Sequence, residues 1–329
     1  MVKIKANPLN IDFKRCTVEN KLQQIRNSKV ATVPEIINVW TIDIEPKESK
    51  AVLDFIRLET QKTDPLSLIH IKRIRKSMDT NKRITLHVAL CSTQLFHNKE
   101  DILSKLEKYS TKFQYTNLCC TNKIPMEAAP TKELMEKWSE EYWPLVWRGN
   151  PNNQILNDYT FDFPFIEEII KKISKLSVEE QEKGNKMPVV SAFVDPLDAT
   201  NVIYATDSRH MAGALPLDHS ILNGINTVAE KLTLRKSENP SVEDDGYLCL
   251  NFDVYTTHEP CSMCAMALIH SRIKRCIFVK EMKNTGALRP DSGDGYCMHS
   301  NRLLNSKYEV FQWIGEDYGT SVVNDLECC

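Results

Sequence analysis

The sequence predicts an α/β protein in two domains, an α+β domain followed by an α/β/α domain with a mixed central sheet. Three observations lead there. At 329 residues the chain is long enough for two separate cores. Segments with the two-residue period of strands alternate with segments of helical period along most of its length. A stretch of turn chemistry, from AAPTKE to RGNPNN within 126–155, divides that alternation into two blocks. The composition, 42% hydrophobic and 26% charged, is that of an ordinary soluble globular chain, and no apolar run is long enough to span a membrane.

Residues 1–34 show mixed charge and little periodicity and are expected to form an irregular arm. The block 35–125 opens with INVWTIDI (37–44), whose alternation and β-branching read as a strand. Pro46 then opens a helix over 47–59, with Val52, Phe55 and Ile56 on one face. LSLIHIKRI (66–74) and RITLHVALC (83–91) read as strands, NKEDILSKLEKY (98–109) as a helix and KFQYTNLCC (112–120) as a weaker strand. The order β-α-β-β-α-β is that of the ferredoxin-like split βαβ fold. Residues 126–159 form an aromatic-rich connector, whose Trp138, Tyr142, Trp143 and Trp147 are expected to pin one domain against the other.

The block 160–329 begins with a long helix from 164, apolar at Ile166, Ile169, Ile170, Ile173 and Leu176. A strand pair follows at 187–196 and 201–207, then a helix over 218–234 with Asp218 as its N-cap. A strand lies within 247–257, a helix over 261–271, and strands at 273–279 and 308–314. This order builds an α/β layer from βαβ units.

Charge is unevenly spread. Residues 1–125 carry 22 Lys and Arg against 13 Asp and Glu, and residues 126–329 carry 20 against 31. A basic front half suggests contact with a polyanion, though two domains can also drift apart in charge without such a role. The opening MVKIKANPLNIDFKRC has no apolar core of a secretory signal, so none is expected. Eleven cysteines in such a chain are expected to be free thiols or metal ligands in a reducing compartment, cytoplasm or nucleus.

The chemistry concentrates in THEPCSMCAMALIH (257–270). Cys261 and Cys264 stand at i and i+3, on one face and in the first turn of the predicted helix, where the helix dipole favours thiolate. Two sulfurs at that spacing suit zinc. A lone C-x-x-C is moderately specific, and the chain holds no second one, which argues against a four-cysteine ribbon. His219, at another predicted helix start on the same edge of the sheet, is the third candidate ligand. A single histidine there is ordinarily a satisfied group near a helix cap; the cysteine pair is what singles this one out.

A His at one helix start and P-C-x-x-C at the next resembles the zinc-dependent deaminases of the cytidine-deaminase-like family, whose pattern is H-x-E…P-C-x-x-C. The segment 257–275 is most similar to members acting on tRNA adenosine, and the resemblance spans 160–329. It implies a zinc held by His219, Cys261 and Cys264, with a Glu two residues after the His moving the protons. Here that position is Ile221, which has no titratable group. Glu259 belongs to the motif and is expected to point elsewhere, and Glu230 lies about three helical turns away.

A zinc motif without its Glu, behind a basic N-terminal extension, resembles the non-catalytic subunits of the eukaryotic heterodimeric wobble-adenosine deaminases. GDGYCM (293–298), YEVFQWIGE (308–316), YWPLVW and NPNNQILNDY are similar to the fungal members. The resemblance implies a catalytic partner subunit, no catalytic residue in this chain, and tRNA as a second partner. Lys72, Arg73, Arg75, Lys76, Lys82 and Arg83 are then the candidate RNA contacts, although a basic run is commonly a solvated strand end and alternate residues cannot share one face. Cys328 or Cys329 is a candidate fourth zinc ligand, against a frayed tail. Two other readings stay open: a free-standing deaminase with a substitute base, and a zinc-containing RNA-binding module with no enzymatic partner.

Overall fold

A computed structural model describes residues 7–27, 32–78, 84–238, 247–301 and 303–324. In chain order its elements begin with three short strands, β1 (Ile11–Asp12), β2 (Thr17–Val18) and β3 (Leu22–Gln24). The next group is β4 (Ile36–Ile44), α1 (Ser49–Phe55), β5 (Ile74–Met78), β6 (Ile84–Ser92), α2 (Lys99–Glu107) and β7 (Thr116–Pro125). Three helices follow, α3 (Lys132–Glu141), α4 (Pro151–Asp158) and α5 (Phe163–Glu182). The last group is β8 (Val190–Asp195), β9 (Asp198–Thr206), α6 (Ser220–Glu238), β10 (Asp253–His258), α7 (Ser262–His270), β11 (Arg275–Lys280) and β12 (Glu309–Trp313).

The chain divides into two compact units, residues 30–155 and residues 1–29 with 156–329. In the first, β4 to β7 form an antiparallel sheet of order β5-β6-β4-β7, with the two helices of the split βαβ between strands. Alternation along β4 decides its two faces. Trp40, Ile42 and Ile44 meet α1 and α2 through Val52, Phe55, Ile102 and Leu106. Val39, on the other face, joins Ala89, Ile124, Leu68, Ile71, Trp138 and Trp143. Of the connector aromatics, expected to bridge two domains, Trp138 and Trp143 belong to the core of this unit and Tyr142 packs against it. Thr131 caps α3 by accepting the Leu134 N–H, and Trp143 Nε1 donates to the Lys72 carbonyl at 2.8 Å.

The strand expected at 66–74 is displaced: the ladder with β6 runs from Ile74 to Met78. Residues 70–72 instead bond to 144–146, by Val146 N–H to the His70 carbonyl and Lys72 N–H to the Pro144 carbonyl, both 2.8 Å. LSLIHI is apolar because Leu68 and Ile71 cover the sheet face, not because it is a strand.

The second unit is a three-layer α/β/α structure on a mixed sheet of order β1-β2-β3-β12-β11-β10-β8-β9. Strands β10, β11 and β12 are parallel and the rest pair antiparallel. Helix α5 covers one face, with Ile166, Ile169, Ile170 and Ile173 on Val190, Ala192, Tyr255, Ile277 and Phe311. Helices α6 and α7 cover the other, with Ile221, Ile225, Val228, Ala265, Leu268 and Ile269 on Phe193, Val254, Cys276, Phe278 and Val310. Gly224 sits where a Cβ would come 2.1 Å from the Phe193 ring, so only glycine lets α6 lie this close to β8.

Residues 1–34, expected to be irregular, supply β1, β2 and β3, and β3 pairs with β12 through Leu22↔Trp313. Short strands rich in Gln, Lys and Asn carry little hydrophobic periodicity, so the sheet that receives them, not their own pattern, makes them strands. This also changes the charge account. The unit 30–155 carries 18 Lys and Arg against 16 Asp and Glu, because part of the basic front belongs to the other unit. Among the described residues no helix is long and apolar enough to cross a membrane. None of the nine described cysteines is in a disulfide, and burial pushes the Cys91 and Cys249 thiols up to about 12, so these two are inert core groups.

His299 ties the turn at 298–300 to the segment after β3, its Nε2 lying 3.3 Å from the Ile25 carbonyl. Burial lowers its pKa to about 4. A histidine depressed below its unfolded value of about 6.5 makes unfolding take up a proton, so stability is intact above that value and falls as pH drops toward 4. The expected loss across that window is about 3 kcal/mol, and His299→Gln should flatten it in urea melts taken at a series of pH values.

Candidate metal centre

Helices α6 and α7 begin at the same edge of the sheet, and their first residues face each other. The first helical bond of α6 runs from Asn223 N–H to the His219 carbonyl at 2.9 Å, so His219 stands at the N-cap position. Asp218, expected to be the cap, instead turns its carboxylate back to the Leu215 N–H at 2.7 Å. In α7 the N-cap is Cys261, with extended backbone (φ −71, ψ 172), and Ala265 N–H donates to its carbonyl at 2.8 Å. Cys264 follows three residues later on the same face.

His219 Nδ1 lies 3.5 Å from Cys264 Sγ and 3.8 Å from Cys261 Sγ, and all three side chains are buried. With bonds of about 2.0 Å to nitrogen and 2.3 Å to sulfur, a tetrahedral zinc sets N and S roughly 3.5 Å apart. The donor set and spacing therefore fit zinc with three protein ligands. Among the described residues this is the one His, Cys, Asp and Glu group compact enough to hold a metal. Cys328 and Cys329, the candidate fourth ligands, lie outside the described residues.

A chain of buried hydroxyls fixes the approach of the two helices. Ser220 Oγ, one residue after the histidine, lies 2.8 Å from Ser191 Oγ of β8. Ser191 Oγ donates to Thr256 Oγ1 of β10 at 3.2 Å, and Thr256 Oγ1 donates to the His258 carbonyl at 3.1 Å. The start of α6 is thus bonded to β8 and, through it, to β10, the strand that leads to the cysteines. Nothing in the spacing of Ser191, Ser220 and Thr256 marks them beforehand, since they come from three separate elements.

The cavity beside these ligands is about 30 Å³, room for one or two water-sized groups. Ile221 lines it and is 2% exposed, packed in the same core cluster as Cys261 and Cys264. Two carboxylates also line it, and both are fully engaged. Asp207 accepts two bonds from Arg209 Nε at 3.1 Å and one from a terminal guanidinium nitrogen at 3.0 Å. Glu259 Oε1 accepts the Leu288 and Arg289 N–H groups at 2.9 and 2.8 Å. Its Oε2 accepts the Met282 N–H at 3.1 Å and the Ser292 hydroxyl at 2.7 Å. Glu259 is therefore the anchor of the 282–292 loop, and Gly286 is glycine because a Cβ there would come 2.4 Å from that carboxylate. Glu230 is exposed on α6. The Asp207–Arg209 pair escaped the sequence reading; its only signal was the D-x-R spacing on the way into the His219 helix.

The basic residues lie in the other unit and do not form one face. Lys72 is exposed. Arg73 turns inward to donate to the Ala89 and Leu90 carbonyls at 3.4 and 3.0 Å, and burial lowers its pKa. Arg75 and Lys76 are exposed on opposite sides of β5. Lys82 and Arg83 lie outside the described residues.

Residues 165–280 match the cytidine and deoxycytidylate deaminase zinc-binding region, and residues 37–143 match the tRNA-specific adenosine deaminase TAD3 N-terminal domain. The chain is 47% identical over 329 residues to the tRNA-specific adenosine deaminase subunit TAD3 of Saccharomyces cerevisiae, with 100% of both chains covered. It is 28% identical to the tad3 subunit of Schizosaccharomyces pombe, covering 84% of each. It is 26% identical to the probable inactive tRNA-specific adenosine deaminase-like protein 3 of Danio rerio, over 85% of this chain and 88% of that one. With its His219, Cys261 and Cys264 cluster in a deaminase fold and a matching front domain, the chain belongs to the TAD3 family of tRNA-specific adenosine deaminase subunits.

Proposed function

We propose that this chain is the non-catalytic subunit of a heterodimeric deaminase that converts adenosine to inosine at the tRNA wobble position. It holds a zinc through His219, Cys261 and Cys264, binds tRNA and supports a catalytic partner subunit that carries the proton-moving Glu. Cysteines outside disulfides suit work in the cytoplasm or nucleus. The single observation that carries the reading is the state of the cavity. Ile221 occupies the position of the general base, and the two lining carboxylates are consumed by Arg209 and by the 282–292 loop. Each carboxylate already accepts four hydrogen bonds, which fills its lone-pair sites.

A bound zinc would supply cross-linking of the two helix starts. The chain's own residues hold the thiolates at helix N-termini, orient the imidazole through the Ser220 anchor and exclude all but a few waters. The described tail ends at 324, with Val323 packed against Met187 and Met282, both of which line the cavity. That approach favours Cys328 or Cys329 as the fourth ligand. Removing those two residues should then weaken zinc retention against a chelator; unchanged affinity and coordination would sink this part of the reading.

Inosine formation in a wobble-adenosine tRNA tests the whole. The zinc-loaded chain alone should give none, and the chain co-purified with its catalytic partner should be active. Turnover by the chain alone would establish a substitute base and overturn the assignment. With the fourth zinc position filled by Cys328 or Cys329, Ile221→Glu should not restore turnover by itself. Cys264→Ala should abolish zinc binding and lower the melting temperature. A ligand saturated 100-fold over its Kd stabilises by about 2.7 kcal/mol, and that increment should disappear equally on chelation of the wild type.

A further inference from the structure

Among the described residues, four buried side-chain polar atoms have no hydrogen-bond partner: Thr17 Oγ1, His299 Nδ1, the Tyr308 hydroxyl and Ser321 Oγ. Two of them belong to neighbouring rings. The His299 and Tyr308 ring centroids lie 6.1 Å apart, with the planes tilted by 51°. Their backbones are joined where the Tyr308 N–H donates to the His299 carbonyl at 3.3 Å. Both residues are buried, at 3% and 4% exposure. A buried polar group without a partner is costly, so two on adjacent rings call for a common one.

The two atoms have opposite roles. The Ile25 carbonyl can only accept, so His299 Nε2 carries the ring proton. Burial keeps the ring neutral, with its pKa lowered to about 4, and Nδ1 is then a bare acceptor. Burial pushes the Tyr308 phenol well above its ordinary value, and Cys276, Cys264 and Glu259 act in the same direction. The phenol therefore keeps a hydrogen to give. Glu259 cannot take it, because four donors already fill its oxygens. Cys276 is a poor acceptor, since burial pushes its thiol up and holds it neutral. An acceptor and a donor with no direct bond between them are matched by a molecule that both donates and accepts. Two successive hydrogen bonds of about 2.8 Å span roughly 5.6 Å, a reach suited to polar atoms on rings at this separation.

We propose that one internal water binds between His299 Nδ1 and the Tyr308 hydroxyl, donating to the first and accepting from the second. The ligand is water and not an ion, because an ammonium cannot accept and a halide cannot donate. Leu288, Val310 and Ile25 in the surrounding apolar cluster offer no charge to hold either. The site joins three separate stretches of chain: Ile25 after β3, the turn at 298–300 and the entry to β12. Met298 N–H in that turn donates to the Ala287 carbonyl at 3.0 Å, so the water also steadies the 282–292 loop that Glu259 anchors beside the metal ligands.

The test is a crystal structure of the full-length chain, together with a double-mutant cycle read by thermal melts at about pH 8, where the imidazole is neutral. Density for a water at roughly 2.6–3.2 Å from both atoms is expected. Tyr308→Phe removes only the hydroxyl and should lower the melting temperature by about 2–4 °C. In a His299→Leu background, where Nδ1 is already gone, Tyr308→Phe should cost nothing further. Equal effects of Tyr308→Phe in the two backgrounds overturn the bridge. So does a crystal structure in which the hydroxyl bonds directly to His299 Nδ1 or to a cysteine sulfur with no water between the rings.

Discussion

Two helices starting at one edge of one sheet are the constraint on which the candidate centre depends. Strands β10 and β11 are parallel, so α7 between them must begin where β10 ends, and Cys261 and Cys264 fall in its first turn. Helix α6 packs on the same face of the sheet, and its start delivers His219. Helix N-termini leave N–H groups unpaired and concentrate positive potential, which suits two thiolates. The approach is held by Ser191, Ser220 and Thr256 at one end of α6 and by the Gly224–Phe193 contact farther along.

What surrounds the ligands has been given over to structure. Ile221 belongs to the hydrophobic cluster that contains both cysteines. Asp207 and Arg209 satisfy each other in a buried ion pair, with side chains 2% and 9% exposed. Glu259 gathers four donors and so orders the loop that follows β11. A buried carboxylate is tolerated when its oxygens are saturated. The arrangement that makes this unit a well-packed fold also takes both of these carboxylates into structural bonds.

The 30–155 unit follows a different logic. One face of its sheet is sealed by α1 and α2, the other partly by α3 and the 66–71 segment. Aromatic density in the connector reflects this second cover. The basic stretch around β5 is split by strand alternation and by the inward turn of Arg73.

Much was legible in the sequence. Periodicity identified α2, α5, the strand pair β8 and β9, and the β-α-β-β-α-β order of the front domain, because long periodic elements are set by their own buried faces. P-C-x-x-C at a helix start, a histidine at another and Ile221 two residues on are local facts, and they pointed to the deaminase family without coordinates. Tertiary structure alone decided the rest. Residues 11–24 are strands only because β12 offers an edge. LSLIHI is a covering segment only because Pro144 and Val146 take its backbone bonds. The Ser191–Ser220–Thr256 chain, the four donors on Glu259 and the His299–Tyr308 pair join residues from separate elements. Such contacts depend on where the chain returns in space, and a one-dimensional pattern carries no record of that return.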